Sequence, residues 1–160
     1  MFREVRRRDR VVTEDEARGI LARAEYGVLA TVGEDGWPYA VPLNHAMAGD
    51  VLYLHCAIEG HKLENLAHEE RVSYCAVANA QVIPSKMSTL YESAVVFGRA
   101  VLVTDAEEKR KALKLLADRF FAGEPAERLE EAICKSESRT AVIRIRLERI
   151  TGKAHRSSST

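Results

Sequence analysis

Neither sign of charge dominates this chain. Its 24 lysines and arginines equal its 24 aspartates and glutamates, so the broad positive footprint that draws a protein to nucleic acid is missing. The basic run from Arg3 to Arg10 is a local exception and reads as a solvated arm. Apolar runs are short. None approaches the roughly 18 residues a membrane-spanning helix needs, and the Arg-rich start lacks the apolar segment of a secretory signal. Cysteine is scarce: Cys56, Cys75 and Cys134 are far apart and odd in number, with no CxxC. That argues against a disulfide framework and for a reducing, cytoplasmic setting. Cys75 lies in an apolar strand pattern and is expected to be a small buried hydrophobe. His61 and His68 share a spacing that two ligands on one helix face could use. With no HExxH and no cysteine pair, however, a metal site is not expected. There is no GxSxG elbow, no nicotinamide-binding fingerprint and no internal repeat.

What is present is enough for one domain. A chain of 160 residues buries about 70% of its unfolded surface on folding. The reading is an arm over 1–12, a single domain over 13–155 and a disordered serine-rich tail over 156–160. Thr13 followed by Glu16 is a capping-box start, and Ala17, Ile20, Leu21 and Ala24 then share a helical stripe. Tyr26–Val32 is a β-branched strand, and Gly33-Glu34-Asp35-Gly36 turns it back. Trp37–Met47 returns as a strand. Its Pro38 and Pro42 place it at an edge, at a bulge or beside a ligand, because neither can donate to a ladder. Asp50–Ala57 completes a meander, with Val51, Tyr53 and His55 on one face and Leu52, Leu54 and Cys56 on the other.

His61–His68 is a short helix, Arg71–Val82 a strand, Pro84–Leu90 a polar loop and Tyr91–Val103 a long strand in which Gly98 marks a bulge or close approach. Thr104 or Asp105 caps a helix bearing Ala112, Leu113, Leu116, Ala117 and Phe120, which Gly123 ends. Glu127–Cys134 adds a charged helical segment, and Thr140–Gly152 is the last strand. The fold class is therefore mainly β with inserted helices, a six-stranded antiparallel barrel.

The stretch from Trp37 to Leu66 organises the function. Strand, turn, strand, then Gly60-His61-Lys62 at a helix start make a plausible phosphate cradle. Free N–H groups and the helix dipole both favour an anion there, and two basic side chains stand beside it.

These residues resemble the split-barrel flavin-binding superfamily of pyridoxamine 5′-phosphate oxidase, and within it the nitroimidazole-resistance (nitroimidazole reductase) branch. The matching pieces are Gly27–Thr31, Trp37–Asn44, Leu52–His55, Gly60–Lys62, Tyr91–Val95 followed by Gly98, and Thr151–Lys153, in family order over about residues 3–155. The resemblance implies an FMN-binding split barrel that works as a homodimer, with FMN at the subunit interface. By position, Val41, Pro42, Leu43 and Asn44 would lie along the isoalloxazine, largely through backbone groups. His55, Cys56 and Ala57 would follow the ring and ribityl chain, His61 and Lys62 would hold the phosphate, and Ser93 would reach the polar edge of the ring. Lys153 to His155 is where family members contribute from the partner subunit. His55 is the candidate catalytic residue, a substrate-facing or proton-donating imidazole.

The implied activity is an FMN-dependent oxidoreductase that passes electrons, from NAD(P)H or another reductant, to a small organic acceptor. The alternative is a non-catalytic protein of the same fold that binds FMN, a deazaflavin or haem. The chain ends in HRSSST with no Trp after Trp37, whereas true pyridoxamine phosphate oxidases carry a Trp- and Arg-bearing segment that grips substrate. That activity is not expected. His61 also stands where relatives have arginine.

Overall fold

The computed structural model describes residues 2–157; the last three residues of the expected tail lie outside the described residues. Eight strands form one antiparallel sheet: β1 (Val11–Val12), β2 (Gly27–Val32), β3 (Pro38–Leu43), β4 (His45–Ala48), β5 (Val51–Ala57), β6 (Arg71–Ile83), β7 (Ser88–Leu102) and β8 (Thr140–His155). Four helices interrupt them: α1 (Glu14–Arg23), α2 (His61–His68), α3 (Ala106–Phe120) and α4 (Ala126–Ser136). Along the sheet the order is β3-β2-β6-β7-β8-β5-β4, with β1 added to β8. The two edge strands β3 and β4 are consecutive in the chain and meet at Asn44. The sheet therefore curls round until the chain itself joins its edges, with no ladder between them, and this is a split barrel.

The six expected strands become eight for two reasons. The single strand expected over Trp37–Met47 breaks at Asn44, and Val11–Val12, in the stretch read as an arm, pairs with Gly152 and Lys153. The expected polar loop is tighter than its composition suggests. Residues Pro84–Lys86 make one 3-10 turn, Met87 takes a left-handed conformation at φ 44°, and β7 begins at Ser88. Gly98 does both things its position suggests. The register slips beside it, and a Cβ there would stand 2.3 Å from the carbonyl oxygen of Arg146.

Two cores result. Helix α1, capped by Thr13 with the full capping box, plugs the barrel. Its Ala17, Ile20 and Leu21 join Leu29, Leu52, Leu54, Tyr74, Val96, Ile143 and Ile145 in the interior. Helices α3 and α4 cover the outer face of β5 and β8, where Ala112, Leu113, Ala117 and Ile133 pack on Val103 and Val142. Asp105, not Thr104, caps α3, accepting from the Glu108 N–H at 2.7 Å.

The outer face of β2, β6 and β7 is only partly covered among the described residues, by the N-terminal arm, whose Phe2 packs on Phe97 with ring centroids 5.3 Å apart and whose Glu4 accepts from Arg149 at 3.0 Å. The register aligns Pro42, Val28, Cys75, Val95 and Thr151 in one row and Ala40, Ala30, Ser73, Phe97 and Arg149 in the next. Cys75 is thus exposed rather than buried. Its alternation in β6 sets it opposite the buried Tyr74 and Ala76.

Candidate functional site

The break between β3 and β4 is held by side chains. Asn44 Nδ2 donates to the Glu25 carbonyl at 2.8 Å, and the Tyr74 hydroxyl donates to the Leu43 carbonyl at 2.7 Å. Arg119 of α3 donates to the carbonyl oxygens of His45 at 2.7 Å and of Ala24 at 2.6 Å. His45 is fully buried, with Nε2 2.7 Å from the Leu21 carbonyl and Nδ1 2.8 Å from the Tyr74 hydroxyl. Burial pushes its imidazole down to about 4, helped by the nearby Arg119 charge. It is therefore neutral at physiological pH; its Nε2, facing a carbonyl, carries the proton, and its bare Nδ1 shares the single Tyr74 hydroxyl proton with the Leu43 carbonyl. The corner that turns the chain from one barrel edge to the other is pinned by these hydrogen bonds.

Prolines then decide which backbone groups of β3 are free. Facing pairs in an antiparallel ladder alternate between bonded and non-bonded. Pro42 and Pro38 face Val28 and Val32 and cannot donate, so those pairs and the Ala30–Ala40 pair between them are the non-bonded ones. The Gly33 N–H bonding to the Trp37 carbonyl fits that phase. The open edge therefore presents the Ala40 N–H and the carbonyls of Pro38, Ala40 and Pro42. The backbone groups of Val41 and Leu43 turn toward β2, and their side chains pack against the barrel core.

At the far end of β5, Gly60 takes φ 129° and starts α2 with no side-chain cap. The N–H groups of Leu63 and Glu64 bond to the Gly60 carbonyl, which leaves those of His61 and Lys62 without helical partners. A Cβ at Gly60 would meet nothing within 4 Å, so the approach is open. The His61 ring stacks on Tyr39 of β3, centroids 4.2 Å apart, and the Lys62 charge reaches the Cys56 thiol, partly offsetting the upward push of burial. Main-chain donors, a dipole and an ammonium together suit a phosphate group.

Of the expected site residues, Val41, Leu43 and Cys56 turn their side chains to the barrel core, and the others divide into two groups. Pro42 on β3, Asn44 at the β3–β4 corner, His55 and Ala57 on β5 and His61 and Lys62 at the start of α2 make the first group. His55 and Cys56 point opposite ways: Cys56 packs against the barrel core, while His55 and Asn44 face a cavity under α3 and α4. Burial on that side lowers the His55 imidazole below its ordinary value. Ser93 and Lys153 are cross-strand neighbours on the outer face of β7 and β8. Cys56 pairs with Ala141 and Ser93 with Lys153, a dozen positions along β8, or about 40 Å of strand.

Sequence reasoning missed Ala40, whose signal lay in the Pro-x-x-x-Pro spacing, and Tyr39 as the partner of His61. It also missed Arg119, which no motif or apolar stripe singles out. Among the described residues, no three His, Cys, Asp or Glu side chains stand close enough to hold a metal ion. No described helix is long and apolar enough to cross a membrane.

The architecture is that of the split-barrel proteins related to pyridoxamine 5′-phosphate oxidase. Residues 13–154 match the family model described as "Pyridoxamine 5'-phosphate oxidase", and the chain belongs to that family. No curated protein matches in sequence. Among solved structures, a conserved hypothetical protein, Rv2991 of Mycobacterium tuberculosis, is 20% identical over 98% of each chain with a TM-score of 0.80. A candidate 5-nitroimidazole antibiotic resistance protein from Bacteroides thetaiotaomicron is 24% identical over 89% of this chain and 85% of its own, TM-score 0.73. An FAD- and haem-binding protein from Mycobacterium smegmatis is 22% identical over 92% of this chain and 74% of its own, TM-score 0.72. At these identities the likeness is one of fold.

Proposed function

We propose that this protein is an FMN-binding homodimer that transfers electrons to a small organic acceptor in the manner of a nitroimidazole reductase. The observation that carries the reading is the start of α2. Two N–H groups free of helical partners, an uncapped Gly60 and the Lys62 ammonium make a phosphate cradle, and it lies beside the free edge of β3, whose Tyr39 stacks on His61. The Ala40 N–H and the flanking carbonyls of that edge match the alternating donors and acceptors on the polar rim of a flavin. Bound there, FMN would supply the electron-transfer chemistry, accepting electrons from NAD(P)H or another reductant. The chain's own residues bind and orient. Lys62 and the N–H groups of His61 and Lys62 hold the phosphate, the β3 edge fixes the ring, and neutral His55 stands at the acceptor side able to hold or give one proton.

What supports a second copy is the separation of the two residue groups along β8. Ser93 and Lys153 sit beside Val77 on the outer face, next to the row bearing Val28, Cys75 and Val95. An exposed apolar sheet face of this kind is a self-association surface, and a two-fold would deliver the partner's copies of these residues to the first group. Free cysteines and the sequence character favour a cytoplasmic location. The test is spectroscopic. Purified protein should carry, or take up, one flavin per chain, and NAD(P)H or dithionite should bleach it. A protein that ignores added FMN refutes the reading, and a haem absorption band in its place would favour the haem-binding alternative.

A further inference from the structure

Helix α2 has only eight residues, and Gly60 brings it no side-chain cap. A helix so short does not hold itself in water. Leu63 and Leu66 pack against the barrel core, but apolar contact is non-directional and lets a helix slide or turn. The one buried side chain of α2 is polar: Asn65 is 3% exposed. Its Nδ2 donates to Thr31 Oγ1 of β2 at 3.0 Å, and Thr31 is itself 1% exposed. Thr31 faces Tyr39 across the β2–β3 ladder, and its hydroxyl reaches the Tyr39 carbonyl at 3.5 Å. The Tyr39 ring in turn stacks on His61, the first residue of α2, one helical turn before Asn65. These contacts close a circuit from α2 to β2 to β3 and back to α2. Gly33, just past β2, leaves room for it, since a Cβ there would stand 2.7 Å from Asn65 Oδ1.

We infer that Asn65 is a positioning residue for the phosphate cradle. Through Thr31 it sets the start of α2 against the β3 edge, so that the free N–H groups of His61 and Lys62 meet the phosphate of a ligand whose ring lies along Ala40. The inference rests on the flavin reading above. Asn65 itself touches no ligand and no reacting atom. Its chemistry suits the task. Burying an amide costs desolvation that only a directed bond recovers. A directed bond also fixes the helix along its axis, where packing does not, and a satisfied polar network in the interior rigidifies what it joins. Tyr39 immediately precedes Ala40 in β3, so the circuit ties the two walls of the site to each other within one residue of the proposed ring contact.

Fluorescence titration with FMN and with riboflavin, which lacks the phosphate, tests this on the native protein, Asn65→Leu, Thr31→Val and Thr31→Ser. Asn65→Leu and Thr31→Val should each weaken FMN about tenfold, the value of one charge-assisted contact, and leave riboflavin affinity unchanged. Thr31→Ser keeps the hydroxyl and should bind FMN as the native protein does. The double variant Asn65→Leu, Thr31→Val should lose no more than either single one, because both cut the same link. A merely structural role would weaken FMN and riboflavin alike. That result, or native FMN affinity in both Asn65→Leu and Thr31→Val, or a Thr31→Ser protein that behaves as Thr31→Val does, would overturn the assignment. Valine matches threonine in shape, so Thr31→Val carries the test if Asn65→Leu fails to fold. Inorganic phosphate gives a readout free of the flavin: it should shift the amide resonances of His61 and Lys62 in the native protein and do so only at higher concentration in Thr31→Val. A native protein that binds neither flavin but shows this phosphate response would refute the flavin reading and leave the positioning role standing. One that binds FMN with no difference between native and variants would do the reverse, and absence of both responses would overturn both.

Discussion

The guanidinium of Arg119 donates to the carbonyl oxygen of His45 over 2.7 Å, and this one contact ties the helical cover to the barrel corner. The same side chain reaches the carbonyls of Ala22 at 2.9 Å and Ala24 at 2.6 Å, so it also closes the C-terminus of α1. A planar fork with five donors suits several carbonyls in a way that an ammonium does not. Replacing Arg119 with Met would leave buried carbonyls unpaired, at about 1–3 kcal/mol each. The expected loss is about 2–4 kcal/mol in urea unfolding, and Arg119→Lys should recover less than half of it. A loss below about 0.5 kcal/mol, the range of ordinary surface changes, would show that the clamp is ornamental.

His45 makes the fold sensitive to acid. Its folded-state value is depressed to about 4 from an ordinary 6.5, so between those limits the unfolded chain binds more protons than the folded one. Stability contributed by the neutral imidazole is fully present above about pH 6.5 and lost as pH falls toward 4, by on the order of 3 kcal/mol. Urea midpoints measured from pH 7.5 to 4 should fall more steeply in the native protein than in His45→Gln. Parallel curves would mean that carboxylates alone set the acid limit.

Lys62 and the free N–H groups of α2 divide the work of holding a phosphate. Lys62→Ala should weaken FMN binding about 10- to 100-fold, as loss of a charge-assisted contact does, and should steepen no other dependence on the ring. Riboflavin, which lacks the phosphate, should bind the native protein and the variant equally. A variant with native FMN affinity would show the phosphate to be placed elsewhere.

The edge of β3 offers an unusually clean test of main-chain recognition. Ala40→Pro removes one outward N–H in a strand that already tolerates Pro38 and Pro42 in the same phase. Thermal stability should change little, while FMN affinity should drop up to about tenfold, the value of one neutral hydrogen bond. Collapse of the fold would show that the Ala40 N–H points into the ladder after all.

Much of this was legible in the residues. The Thr13–Glu16 capping box, the α2 limits at His61 and His68, the opposed faces of β5 and the special role of Gly98 all follow from local chemistry that the tertiary structure does not override. The strand break at Asn44 was not legible, because β-propensity runs unbroken through Leu43 and His45. What breaks it is a corner held by Glu25, Tyr74 and Arg119, all distant in sequence. The apolar stripe of α3 was visible, but not that it covers β5 loosely enough to leave a cavity beside His55. Likewise the outer exposure of Cys75 depends on which face of β6 the plug helix α1 takes, and periodicity alone does not choose between faces.

The account turns on a flavin seated where two copies of the chain meet. Sedimentation velocity followed at the flavin absorption band tests that most directly, using the native protein and Val77→Arg, which puts a charge on the outer sheet face where Val77 is 50% exposed. The account predicts flavin moving with a dimer in the native protein, and in the variant a monomer that leaves its flavin behind. Flavin that travels with a monomer, in either protein, would contradict it.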